Sequence, residues 1–140
     1  MIDLTAATLD GAEPYGMIEN AAIAIAGSQI AWVGPRVDLP RAFLDQPTES
    51  LGHRLVTPGL IDCHVHITLD PAIFSAEEQL RVPRERVWAG MQQRALAMVQ
   101  AGITTARDLG GGAWLELALR DRITAGEFPG PRLICAGQPI

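Results

Sequence analysis

The chain of 140 residues contains no lysine, and its 11 basic residues are all arginine. A Schiff-base lysine, a P-loop lysine and a lysine bridging two metals are therefore excluded from within these residues. Cysteine is scarce: Cys63 and Cys135 stand alone, both inside apolar runs. Buried reduced thiols suit that placement better than a disulfide and point to a reducing compartment, so a cytoplasmic location is expected. No run approaches the roughly eighteen apolar residues of a membrane-spanning helix. Met1-Ile2-Asp3-Leu4 lacks the basic region and apolar stretch of a secretory leader. No membrane partner is expected. A net charge of −5 offers no basic surface to a phosphate backbone, so no nucleic-acid partner is expected either. What is present is 48% hydrophobic residues, enough for a packed core.

The first 54 residues read as short strands. Met1 to Leu9 is one, ended by Asp10-Gly11; Ala21 to Ala26 and Gln29 to Val33 are two more. Gly27-Ser28 between the last two has the two-residue, glycine-first form of a type II′ hairpin turn. Pro40 to Ser50 reads as loop, with a helical turn around Arg41 to Leu44. Three strands make a thin sheet that needs a partner, which predicts part of a small β-domain.

From Leu55 to Ile140 strands and helices alternate. Leu60 to Ile67 is the first strand of this series. Ser75 and Glu78 have capping-box spacing and open a short helix that Pro83 interrupts. Over Arg84 to Ala101, the residues Val87, Trp88, Met91, Ala95, Met98 and Val99 fall on one helical stripe, and Gly102 takes the C′ position. Ile103 to Leu109 is a second strand. The Gly110-Gly111-Gly112 run leads into a helix with Leu115, Ala118, Leu119 and Ile123 on its buried face, ended by Gly126. Leu133 to Ala136 begins a third strand. The expected fold class is α/β: parallel strands with right-handed helical crossovers, as at the start of a (β/α)8 barrel with about three units present.

The chemistry concentrates in Thr57-Pro58-Gly59-Leu60-Ile61-Asp62-Cys63-His64-Val65-His66. Strand alternation puts His64 and His66 on one face, near the C-terminal end of the first strand, where barrel active sites are built. Two imidazoles side by side can converge on one metal ion, and core histidines satisfied by hydrogen bonds are the plainer alternative. Alternation also places Asp62 on the histidines' face, where it could orient a ligand. Asp108 ends the second strand and has three readings: a substrate contact, a brace for a histidine, or a structural bond to the glycine loop. The triple glycine reads as a tight turn or as an anion cradle. His53 reads as a surface residue, and Trp32, Trp88 and Trp114 read as packing residues.

Thr57 to Asp62 with His64 and His66 resembles the first-strand signature of the metal-dependent amidohydrolase superfamily. Ala101-Gly102-Ile103-Thr104-Thr105 with Arg107-Asp108 resembles the second strand of its imidazolonepropionase-like and Xaa-Pro-dipeptidase-like branch, and Gly130 to Ile140 resembles the third. The resemblance implies that residues 1–54 are the N-terminal part of a small β-sandwich domain, and that residues 55–140 open an incomplete barrel. It further implies one or two divalent metals, usually zinc, which acidify a bound water and polarise the scissile carbonyl. In the superfamily a late aspartate takes the water's proton and returns it to the leaving nitrogen. Only the metal ligands His64 and His66 map onto this chain. The bridging residue, two later histidines and the aspartate base are expected beyond residue 140, so no catalytic residue is assigned within it.

The resulting expectation is a hydrolase of C–N bonds in a small-molecule substrate, a cyclic amide or peptide-like compound, represented here by an N-terminal segment. Two histidines leave a tetrahedral zinc half-ligated, so these residues alone are not expected to hydrolyse substrate. The alternative is a non-catalytic truncated or split product that needs a C-terminal segment, or a second copy, to cover the last strand. A small flavodoxin-like binding domain is a third reading.

Overall fold

The computed structural model describes residues 2–3, 6–8, 16–111 and 114–138. The chain divides into two compact units, Met1–Pro58 and Gly59–Ile140. The division falls after Pro58 and not after Arg54, because Leu55–Val56 form a strand paired with the first unit's Ala6 and Ala7.

The first unit contains β1 (Ile2–Asp3), β2 (Ala6–Thr8), β3 (Met17–Glu19), β4 (Ala21–Ala26), β5 (Gln29–Pro35), β6 (Glu49–Ser50) and β7 (Leu55–Val56). They form two sheets, ordered β5-β4-β1-β6 and β3-β2-β7. The single strand expected over Met1 to Leu9 is thus split between sheets, while its expected end at Asp10-Gly11 lies outside the described residues. The stretch expected as loop from Pro40 to Ser50 holds a 3-10 turn at Arg41–Phe43 and then β6. Ala21 and Ile23 of β4 are buried against Ile18 of β3, Val33 of β5 and Val56 of β7, so the core lies between the two sheets. That is a small β-sandwich. Ala26 pairs with Gln29 across Gly27-Ser28, and Gly27 has φ +60°, which suits the glycine-first hairpin turn.

The second unit contains β8 (Leu60–Val65), α1 (Ala76–Leu80), α2 (Arg84–Gln100), β9 (Ile103–Asp108), α3 (Leu115–Thr124) and β10 (Arg132–Cys135). Its strands are all parallel, in the order β10-β9-β8, each joined to the next through helices. The Ser75 side chain accepts the Glu78 N–H at 3.3 Å and caps α1. Pro83, which has no N–H to leave unpaired, stands at the start of α2. Gly102 closes that helix with φ +87°, its N–H donating to the Val99 carbonyl at 3.0 Å.

The apolar stripe of α2 meets the sheet from Val87 to Met98, while Val99 at its end is exposed: Met91 and Ala95 are buried with Ala106 of β9, Leu133 of β10, Ile67, and Leu115 and Leu119 of α3. On α3 the buried face differs from expectation. Ala118 is exposed, and Glu116, a residue the apolar pattern passes over, is fully buried. β8 ends at Val65, before the expected Ile67, and the chain turns at His66 to Leu69.

Candidate metal and active site

The register of β8 against β9 slips where the histidines lie. Asp62 pairs with Ala106 and Val65 with Asp108, so Cys63 and His64 together oppose Arg107 alone. This bulge breaks simple alternation. Asp62 shares the face of buried Ala106 and lines a cleft of about 400 Å³ together with His66 and with Met98 and Ala101 of α2. Its Oδ1 accepts the backbone N–H of His64 at 3.1 Å, so its shown contact is with the bulged backbone and not with an imidazole. Across the strand pair, Arg107 Nε donates to the Cys63 carbonyl at 2.8 Å.

His64 is exposed and His66 half-buried, with ring centroids 5.3 Å apart and planes at 69°. His66 Nδ1 donates to the Gly110 carbonyl. A carbonyl can only accept, so this contact puts the proton on Nδ1 and leaves the Nε2 lone pair free. Metal-ligating histidines are held in this manner, by a second partner on the other ring nitrogen. The pair therefore fits a metal as part of a ligand set. Among the described residues no group of three or more His, Cys, Asp or Glu could hold a metal ion, so further donors would have to come from elsewhere.

Asp108 is fully buried, and both of its oxygens are used. Oδ2 accepts the Ile67 N–H at 2.7 Å and Oδ1 the Gly110 N–H at 2.8 Å. Of its three readings, the structural bond to the glycine loop is present, at the Gly110 N–H. Gly110 itself has φ +88°, a conformation natural to glycine, and Gly112 lies outside the described residues.

Sequence reasoning missed three side chains around this turn. Arg94 Nε donates to the Ile67 carbonyl at 2.8 Å, and burial lowers its pKa against the opposing influence of Asp70. An arginine three residues after Met91, on the buried stripe of α2, was the available signal. Gln79 accepts the Asp70 N–H at 3.1 Å and donates to the Asp70 and Ile73 carbonyls at 2.6 and 2.8 Å; nothing in the pattern marked it. Glu116 is buried with neither carboxylate oxygen hydrogen-bonded. Its pKa is raised, chiefly by burial; its own backbone N–H acts the other way, and the Asp108 charge adds to the rise. His53 is exposed, as expected. Trp88 packs against the second unit's core, whereas Trp114 is 53% exposed.

Parallel strands joined by helices, with paired imidazoles where the first strand ends, are the architecture of the β/α-barrel class. Residues 55–140 match the model of the amidohydrolase family, and the chain belongs to that family. It is 57% identical over 60 residues to the imidazolonepropionase of Roseobacter denitrificans, a stretch covering 43% of this chain and 15% of that protein. Among solved structures, a Xaa-Pro dipeptidase with bound methionine superposes with a TM-score of 0.80 at 26% identity, over 99% of this chain and 33% of that one. The ochratoxinase of A. niger gives a TM-score of 0.76 at 26% identity, over 97% of this chain and 30% of that one. The chain thus spans about a third or less of the length of these relatives. Proteins of this family usually bind a divalent metal. Among the described residues no helix is long and apolar enough to cross a membrane.

Proposed function

We propose that this chain is the N-terminal portion of a metal-dependent hydrolase of C–N bonds, with His64 and His66 as two of its metal ligands. The observation that carries the reading is the His66 imidazole, whose Nδ1–H is held by the Gly110 carbonyl beside His64, leaving Nε2 free. Imidazole donors suit zinc, and when bound it would acidify water and polarise a carbonyl. Asp62 and Arg107 support the two histidines by tethering the bulged backbone at His64 and Cys63. The proton-transferring base and the remaining ligands come from outside this chain.

The substrate is a small molecule with a hydrolysable C–N bond. The imidazolonepropionase relatives support a cyclic amide, and the Xaa-Pro dipeptidase neighbour supports a dipeptide. The cysteines are unpaired but not both buried as expected, Cys63 being exposed and Cys135 partly buried; two free thiols support a cytoplasmic enzyme. The test is hydrolysis of an imidazolone and of Xaa-Pro dipeptides by the intact protein. Activity on one class, lost with a chelator and restored by zinc, is expected; chelator-resistant hydrolysis contradicts the reading.

A second reading has one observation in its favour. Ile61 and Ile134, paired with Thr105 and Arg107 on the face away from the buried Ala106, are 67% and 54% exposed. In that reading the chain is a non-catalytic segment whose apolar sheet face is covered by a separately made C-terminal piece. Mixing the chain with such a piece would then be required for any hydrolysis.

A further inference from the structure

Resting on the reading of His66 as a metal ligand, we infer that Asp108 is a positioning residue that sets the orientation and tautomer of that imidazole through Gly110. The Asp108 carboxylate holds both sides of the His66–Gly110 contact. Oδ2 fixes the N–H of Ile67, the residue that follows His66, and Oδ1 fixes the N–H of Gly110, whose own carbonyl receives the His66 Nδ1 proton. The histidine and its acceptor are 44 residues apart in the chain, yet one buried carboxylate registers them against each other.

The clamp is itself anchored. The Leu109 N–H donates to the Val65 carbonyl at 3.0 Å, and the Ala136 N–H donates to the Asp108 carbonyl at 2.9 Å. Asp108 is thereby tied to the chain on both neighbouring strands. Gly110 adds the required backbone direction: with φ +88° its N–H turns in to Asp108 while its carbonyl faces His66. An asparagine at 108 keeps the volume but has one oxygen in place of two. One of the two N–H groups then faces an NH2 donor in place of its acceptor, and the two sides of the His66–Gly110 contact are no longer both held. Groups that orient a metal-bound histidine from behind typically contribute about 10- to 100-fold in metal affinity.

The experiment measures zinc affinity and the His66 tautomer, by nitrogen NMR of the metal-free protein, for the intact wild type, Asp108→Asn and Gly110→Ala. Wild type is expected to hold its proton on Nδ1. Asp108→Asn is expected to show a mixture of tautomers and a zinc affinity about 10- to 100-fold lower. Gly110→Ala disturbs the same carbonyl without touching the carboxylate, is expected to do likewise, and tests the Gly110 link; if Asp108→Asn does not fold, Asp108→Glu, which keeps both oxygens but displaces them, is expected to give the same mixture of tautomers and stands in for it. An unchanged tautomer and unchanged zinc affinity in a folded variant overturn the inference. Should His64→Ala and His66→Ala leave zinc binding intact, the metal reading fails by itself; the tautomer result then still decides whether Asp108 positions the ring.

Discussion

Arg94, on the second helix of the barrel unit, donates its Nε–H to the carbonyl of Ile67 at 2.8 Å, while the N–H of the same Ile67 goes to Asp108. The residue immediately after His66 is therefore held from both sides, by a guanidinium and a carboxylate on separate elements. Ile67 is also buried in the core, so the turn after the strand is fixed by packing as well as by these two bonds. The bonds pin it from α2 and from β9.

Arg94→Ala should consequently loosen the histidine turn as well as cost stability. A hydrogen bond involving a charged group contributes roughly 1.5 kcal/mol or more, and Arg94 is only half-buried, so a loss of about 1–2 kcal/mol is expected. Urea unfolding of the intact protein measures that loss, and zinc titration of the same variant should show weaker binding. Unchanged unfolding and unchanged titration would show that the pin contributes nothing.

Glu116 gives the second unit a pH dependence of defined sign. Burial favours its neutral form, so its folded-state pKa lies above the ordinary 4.5. The folded state then binds more protons than the unfolded chain between those two values. The contribution is present in full below the ordinary value and is lost as pH rises through the raised one. Glu116→Gln cannot ionise and removes this term. Relative to the variant, wild type should lose stability in urea unfolding as pH rises above the ordinary carboxylate value of 4.5. A difference between the two that does not change with pH would contradict the assignment.

The two cysteines should react very differently. Cys63 is exposed, whereas burial first and the nearby Asp108 charge second push the Cys135 thiol up to about 11. Thiolate is the reactive form, so a thiol reagent at about pH 8 should modify Cys63 and spare Cys135. Mass spectrometry of the Cys63→Ser variant checks this. Rapid labelling of that variant at neutral pH would mean that Cys135 is not held as described.

The helices and long strands of this chain are legible because periodicity and capping act locally. Ser75 with Glu78, Pro83 and Gly102 mark the helix boundaries, and the stripe from Val87 to Met98 marks the buried face. The two-residue strands β6 and β7 are not legible, since each exists only by parallel pairing with β1 or β2, more than forty residues earlier. Nor is the bulge at Cys63 and His64, which interrupts the alternation between Asp62 and His66; a bulge belongs to the pairing of two strands, and one strand's alternation cannot reveal it. The histidine pair and Asp108 stand out by residue type and position. Their connection through Gly110 does not, because it is made by a carbonyl, which every residue carries. Glu116 is the clearest case of tertiary override, an ionisable residue buried on a helix whose expected buried face was apolar throughout.

The central claim is that His64 and His66 hold a divalent metal. The direct measurement is elemental analysis of the intact protein beside the double variant His64→Ala, His66→Ala, with folding of both checked by circular dichroism. Bound zinc is expected in the wild type, beside a folded variant that has lost it. Equal zinc content in the two proteins would contradict the claim.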